Sequence, residues 1–284
     1  MTEHQLFYLV FLGQVLLISY ILPRRVLQRM RHVVSTYPRA EYPRLYPVSH
    51  DRVERAQLAF RNLNLLALVV GLALFAAGVL RPGKDMLGWD TLSVMTLYLM
   101  LQLSPLTIAT RPGFTYFNPL RKRDTRTKRT ADLAPRRLTH FVAPLAVALA
   151  FGLYIFFILA VNQLDYPWFG GYWNIAGITL INLMVTAGIT YSLLARNRDP
   201  YQATADRRRQ IGFVVRLAVF TSFAATLSVM LSIILAMLEL RPYIPVSNSL
   251  YFMLLAAVCF RQFRIDGVNF EVYREEQAVH RSVS

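Results

Sequence analysis

Four polar side chains recur along one face of an otherwise apolar run. Thr179, Asn182, Thr186 and Thr190 follow i, i+3, i+7 and i+11, a spacing that aligns them on a single helical stripe. On the next apolar run Ala224, Ser228, Ser232 and Ala236 form a small-residue ridge at i+4 spacing, with Thr221 and Ser222 one turn below. Two kinds of chemistry suit such side chains. Small residues let helices approach closely in lipid, and hydroxyls and amides then bond across the seam, each contributing about 0.6 kcal/mol on average. The same groups could line a path for a small uncharged or weakly charged solute, centred on Asn182. Helix packing is the first reading and a solute path the second. Pairs such as Ala67/Gly71 and Ala148/Gly152 add to the packing signal.

Ionisable chemistry is scarcer. An ionisable group deep in a membrane span is a functional hypothesis by default, and the deep parts of the apolar runs hold none; Arg216 lies about one turn inside its run and can snorkel. The five histidines, His4, His32, His50, His140 and His280, are scattered outside the runs. No H-E-x-x-H, P-loop, G-x-G-x-x-G or G-x-S-x-G pattern occurs. The expectation is therefore no catalytic residue, no metal site and no cofactor. Cys259 is the single cysteine, so no intrachain disulfide forms.

A third group is basic and aromatic. Arg24, Arg25, Arg29 and Arg31 surround an apolar stripe of Val26, Leu27, Met30, Val33 and Val34. This reads either as a helix lying in the membrane interface, drawn to anionic headgroups, or as a helical extension of the first span. Tyr37-Pro38, Tyr42-Pro43 and Tyr46-Pro47 follow. Proline fixes its own φ and drives the preceding residue towards extended geometry, so this strip is extended or turning. Tyr37, Tyr42 and Tyr46 could present a docking strip to a partner protein or clamp the bundle from below, and the clamp is preferred. Asp51 to Asn62 reads as a helix leading into the second span.

The elements that would position these groups follow from composition. The chain has 284 residues, 55% hydrophobic and 17% charged, with the apolar residues gathered into long runs between basic segments. That excludes a disordered chain, a disulfide scaffold and an ordinary soluble enzyme. A spanning helix needs about 20 mostly apolar residues, and seven runs qualify: 5–22, 63–80, 91–109, 141–161, 173–195, 213–238 and 246–261. Inside lipid the backbone must pair with itself, which leaves helices or closed barrels, and the alternation of barrel strands is missing.

All but three of the 31 Lys and Arg (Arg81, Lys84 and Arg241 being the exceptions) fall in 23–62, 111–140, 196–216 and 261–284. Basic residues mark the cytoplasmic side, so the N-terminus is expected outside, the C-terminus inside, and the number of spans odd. Trp89, Trp168 and Trp173 then all sit at the outer interface. The high charge is a topology signal, and no nucleic-acid-binding fold fits the loops. Arg-Asp segments recur after the third, fifth and seventh runs, at 121–137, 196–208 and 264–266, which suggests one leading helix plus three helical hairpins.

The expected protein is an all-α integral membrane bundle of seven spans, with basic cytoplasmic loops at 23–62 and 110–140 and a tail at 262–284. The strong Arg bias fits a GC-rich genome, and the expected location is a bacterial inner membrane. The expected role is a non-enzymatic membrane component that binds a protein partner or anionic lipid headgroups through its basic face; the alternative is a solute transporter.

Overall fold

The computed structural model describes residues 3–46, 48–80, 94, 97–106, 137–163, 171–194 and 199–274. Helices α1 (Glu3–Leu16) and α2 (Leu22–Thr36) are joined by a π-helical turn, Leu17–Ile21. Then come α3 (His50–Leu80), α4 (Leu97–Leu106), α5 (Pro144–Gln163), α6 (Gly171–Leu194), α7 (Thr204–Met237) and α8 (Ile244–Cys259), the last running into a 3-10 turn at Phe260–Phe263. No strand occurs among the described residues. Six helical stretches are long and apolar enough to cross a membrane, so the chain is a multi-pass, all-helical protein by length and composition. The third expected span, 91–109, is described only at 94 and over the ten residues of α4; most of it lies outside the described residues. The repeat segment at 121–136 lies outside them as well.

The first helix runs unbroken from Glu3 to Thr36, so the arginines of α2 ride on an extension of the first span. Pro23 explains the π turn. A proline offers no N–H and its ring collides with the carbonyl four residues back; widening the turn relieves the clash, and the Leu22 N–H bonds the Leu17 carbonyl, five residues back. α3 likewise starts at His50 and α7 at Thr204, each a few turns before its apolar run.

Packing radiates from two helices. α1 lies against α3 and α8; α8 lies against α7; α7 carries α5 and α6. The buried face of the first helix steps through Phe7, Phe11, Val15, Ile18, Leu22 and Val26, the three-and-four spacing of one helical stripe. Gly71 of α3 lets the Tyr98 hydroxyl reach the α3 backbone: a Cβ there would overlap both that hydroxyl and the Val15 side chain. α6 is the opposite case. Ile178 is its one buried residue among those described, while Leu180, Leu183 and Met184 are exposed. Such a face suits hydrocarbon, where leucine gains nothing from burial and helices hold together by close packing and polar bonds. α7 ends in a Schellman motif: the Leu240 N–H reaches the Leu235 carbonyl and the Glu239 N–H the Ala236 carbonyl, with Glu239 at φ 58° in the place glycine usually takes.

Candidate functional site

Three polar regions stand out. The first is the α6 stripe. Asn182 turns to α7, where its Oδ1 accepts a short hydrogen bond from Ser222 Oγ, and its Nδ2 is buried with no partner among the described residues. Thr179 instead meets Tyr154 of α5 at 2.7 Å and donates to the Ile175 carbonyl. Thr186 returns its hydroxyl to the Asn182 carbonyl, and both Thr186 and Thr190 are exposed. Of the ridge residues, Ser232 donates to the Ser228 carbonyl within α7; no hydrogen bond joins either serine to the α6 stripe among the described residues. The stripe thus divides between two neighbours, and Asn182–Ser222 is the part that crosses to α7.

The second region lies inside the N-terminal helices. Gln14 Nε2 donates to Gln102 Oε1 at 2.9 Å, and Gln102 Nε2 donates to Ser19 Oγ and Tyr98 Oη, both at 3.1 Å. Tyr98 Oη donates in turn to the Ala67 carbonyl at 3.1 Å. Gln14, Ser19, Tyr98 and Gln102 are all buried, Gln102 to 1% exposure. Ser19 sits in the π turn, a geometry frequent at functional sites. Gln14 Oε1 and Ser249 Oγ of α8 are buried without partners among the described residues. A search for ionisable groups passes over this region. Its signal was two amides in uncharged runs, each obliged to find a partner on another helix.

The third region is the basic end of the bundle. The Tyr-Pro strip turns at Pro38, whose carbonyl accepts from the Glu41 and Tyr42 N–H groups, and forms a 3-10 turn at Pro43–Leu45. Tyr42 is buried with Tyr201 and Tyr273. Its hydroxyl donates to Glu271 at 2.9 Å, and the Tyr46 hydroxyl to the Tyr37 carbonyl at 2.7 Å. The Tyr37 ring rests on Phe270, centroids 4.4 Å apart, and the Arg44 guanidinium lies over the Tyr201 ring at 5.0 Å. Asp199 ties the segments: its carboxylate accepts from the Tyr201 N–H at 2.9 Å and from the Tyr273 hydroxyl at 2.6 Å. Asp206 accepts from the Asn269 N–H, and the Asp266 carbonyl from Arg209. The strip, the start of α7 and the tail from Arg264 to Arg274 thus form one aromatic plate, with the tyrosines turned inward.

Burial and the neighbouring Asp199 charge push the Tyr273 phenol well above its ordinary pKa. The hydrogen bond to Glu271, then burial, raises that of Tyr42, and burial raises that of Tyr46. Each phenol therefore stays a neutral donor at physiological pH.

Arg24, Arg25 and Arg31 remain exposed on the α2 extension, Arg24 bonded to the Tyr20 hydroxyl at 3.1 Å. Arg29 borders an open cavity of about 380 Å³ lined by α2, the strip, the start of α3 and the turn after α8. Among the described residues no cluster of three His, Cys, Asp or Glu is placed to hold a metal ion. No protein-family model, no curated protein and no solved structure matches the chain.

Proposed function

We propose that this protein is a non-enzymatic component of a bacterial inner membrane that engages anionic lipid headgroups through its arginine-rich end, the end that faces the cytoplasm. The observation carrying the reading is that the plate buries Tyr42 and packs Tyr37 and Tyr46 half-buried, while Arg24, Arg25 and Arg31 stay exposed on a helical continuation of the first span. A tyrosine docking strip would need those rings outside. Arginines held at headgroup depth attract anionic lipid by about 1 kcal/mol each. The test is lipid analysis of protein purified from mixed neutral and anionic bilayers. Anionic lipid is expected to be enriched around the protein, and the enrichment to fall when Arg24, Arg25 and Arg31 are all changed to Gln. Equal enrichment with the triple variant would sink the reading.

A second reading is kept for one observation: beside Ser222, Asn182 holds a buried amide nitrogen without a partner among the described residues. A polar solute path could use that donor. Stopped-flow light scattering on proteoliposomes, with water, urea and glycerol as solutes, tests it. Flux no faster than in empty vesicles for all three would remove the path.

A further inference from the structure

We infer that the cavity at the basic end holds the hydrocarbon chain of a single-chain anionic amphiphile, its head group between Arg29 and Arg264. This deepens the lipid reading above and rests on it.

The walls come from four segments that are distant in sequence. Val26, Met30 and Val33 of α2, Val53 and Phe60 of α3, Leu45 and Val48 of the strip and Phe263 after α8 supply the cavity's apolar lining. The α2 residues lining it run from Val26 to Val34, roughly 12 Å along a helix axis. A space of about 380 Å³ lies in the range of small-ligand sites, about 300–1,000 Å³. Its lining is mostly apolar, which suits a hydrocarbon chain better than an inorganic ion.

Charge selects the head group. Among the described residues of the lining, Arg29 and Arg264 are the charged ones and none is acidic. Neither guanidinium has an ion-pair partner among the described residues. Gln57, Gln262 and Tyr46 add uncharged polarity. A carboxylate beside two guanidiniums gains charge-assisted hydrogen bonds, while its chain lies along Val26, Met30 and Phe60. A neutral amphiphile would gain the second contact without the first. Leu45 and Tyr46 of the strip and Arg264 of the tail belong to both the pocket lining and the plate, so an occupied pocket would also brace that plate.

The experiment uses the full chain in phosphatidylcholine nanodiscs and palmitic acid carrying a diazirine near mid-chain. Irradiation and peptide mapping are expected to place the label within 26–34, 53–60 and 262–265, with unmodified palmitate competing. Arg29→Gln with Arg264→Gln should lower labelling about tenfold, the loss expected of a charge-assisted contact. Ala56→Trp, which fills the cavity from α3, should abolish it at an unchanged melting temperature; if that variant does not fold, the arginine pair decides. Three results would overturn the inference: label confined to the open faces of α5 and α6, equal labelling by the matching fatty alcohol, or labelling unaffected in the double arginine variant. The two readings fail separately. Anionic enrichment that needs Arg24, Arg25 and Arg31, with no label in the cavity, sinks only this inference. Label in the cavity with no such enrichment sinks only the broader one.

Discussion

The cluster around Gln102 and the stripe around Asn182 are both uncharged polar regions among apolar helices, yet they are built differently. Gln102 is enclosed by α1, α3 and α4 and makes three side-chain hydrogen bonds. Asn182 lies on α6, a helix with one buried residue, and makes one side-chain bond, to Ser222. Removing a partner from a closed network leaves buried groups unsatisfied, whereas removing one from an open seam leaves little behind. The first region thus ties together α1, the π turn and α4, whereas the second joins only α6 to α7.

The largest effect that would test this contrast is at Gly71. Gly71→Ala should cost about 3 kcal/mol, because the new methyl meets the Tyr98 hydroxyl and Val15 in a packed seam; thermal unfolding in detergent measures it. Tyr98→Phe in the Gly71→Ala background should recover part of the loss. A neutral Gly71→Ala would mean that α3 and α4 are not held at this distance. Gln102→Leu should cost about 2 kcal/mol, since Gln14, Ser19 and Tyr98 each lose a buried partner.

The next prediction separates both membrane regions from the plate. Neither membrane region contains Asp, Glu, His, Lys or Arg, while the plate is held by Tyr273 on Asp199. The Tyr273 pKa is raised in the folded state, so the unfolded chain gives up this proton first as pH rises. The stability contributed is full below the ordinary tyrosine value of about 10 and is lost progressively above it. Hydrogen exchange at 264–274 should accelerate from about pH 10 before the helices loosen. Tyr273→Phe should lose about 1.5 kcal/mol at neutral pH, as for a hydrogen bond to a charged group, and should lose this extra sensitivity. Simultaneous loosening of plate and helices would show that the two are one cooperative unit.

Asn182→Leu is the smallest change expected in stability, about 0.6 kcal/mol, the mean for an interhelical bond in membranes. If Asn182 serves a solute path, flux falls while the melting temperature holds. A loss near that of Gln102→Leu would erase the distinction between the two regions.

Much of the helix layout was legible in the sequence. Uncharged runs such as 63–80 and 141–161 must pair their own backbone in lipid, and they fall within α3 and largely within α5. The Tyr-Pro steps announced a turning strip because proline removes helical options locally, and the strip does turn. The stripe Thr179, Asn182, Thr186, Thr190 was legible as one face but not as two jobs, because spacing alone cannot say which neighbour each residue meets. The Gln14–Gln102 pair was overlooked for the same reason: the partners are 88 positions apart.

By itself, then, the sequence determined that the chain is helical and crosses a membrane, since apolar length and backbone pairing are local properties. Which way the helix leaves the bilayer after Leu22 was open. Tertiary structure decided that it continues as helix to Thr36, where α2 packs against α3 and the turn after α8. It also decided that the tyrosines face inward, where Asp199, Glu271 and Phe270 meet them. Those partners lie far along the chain, and only folding brings them within bonding distance.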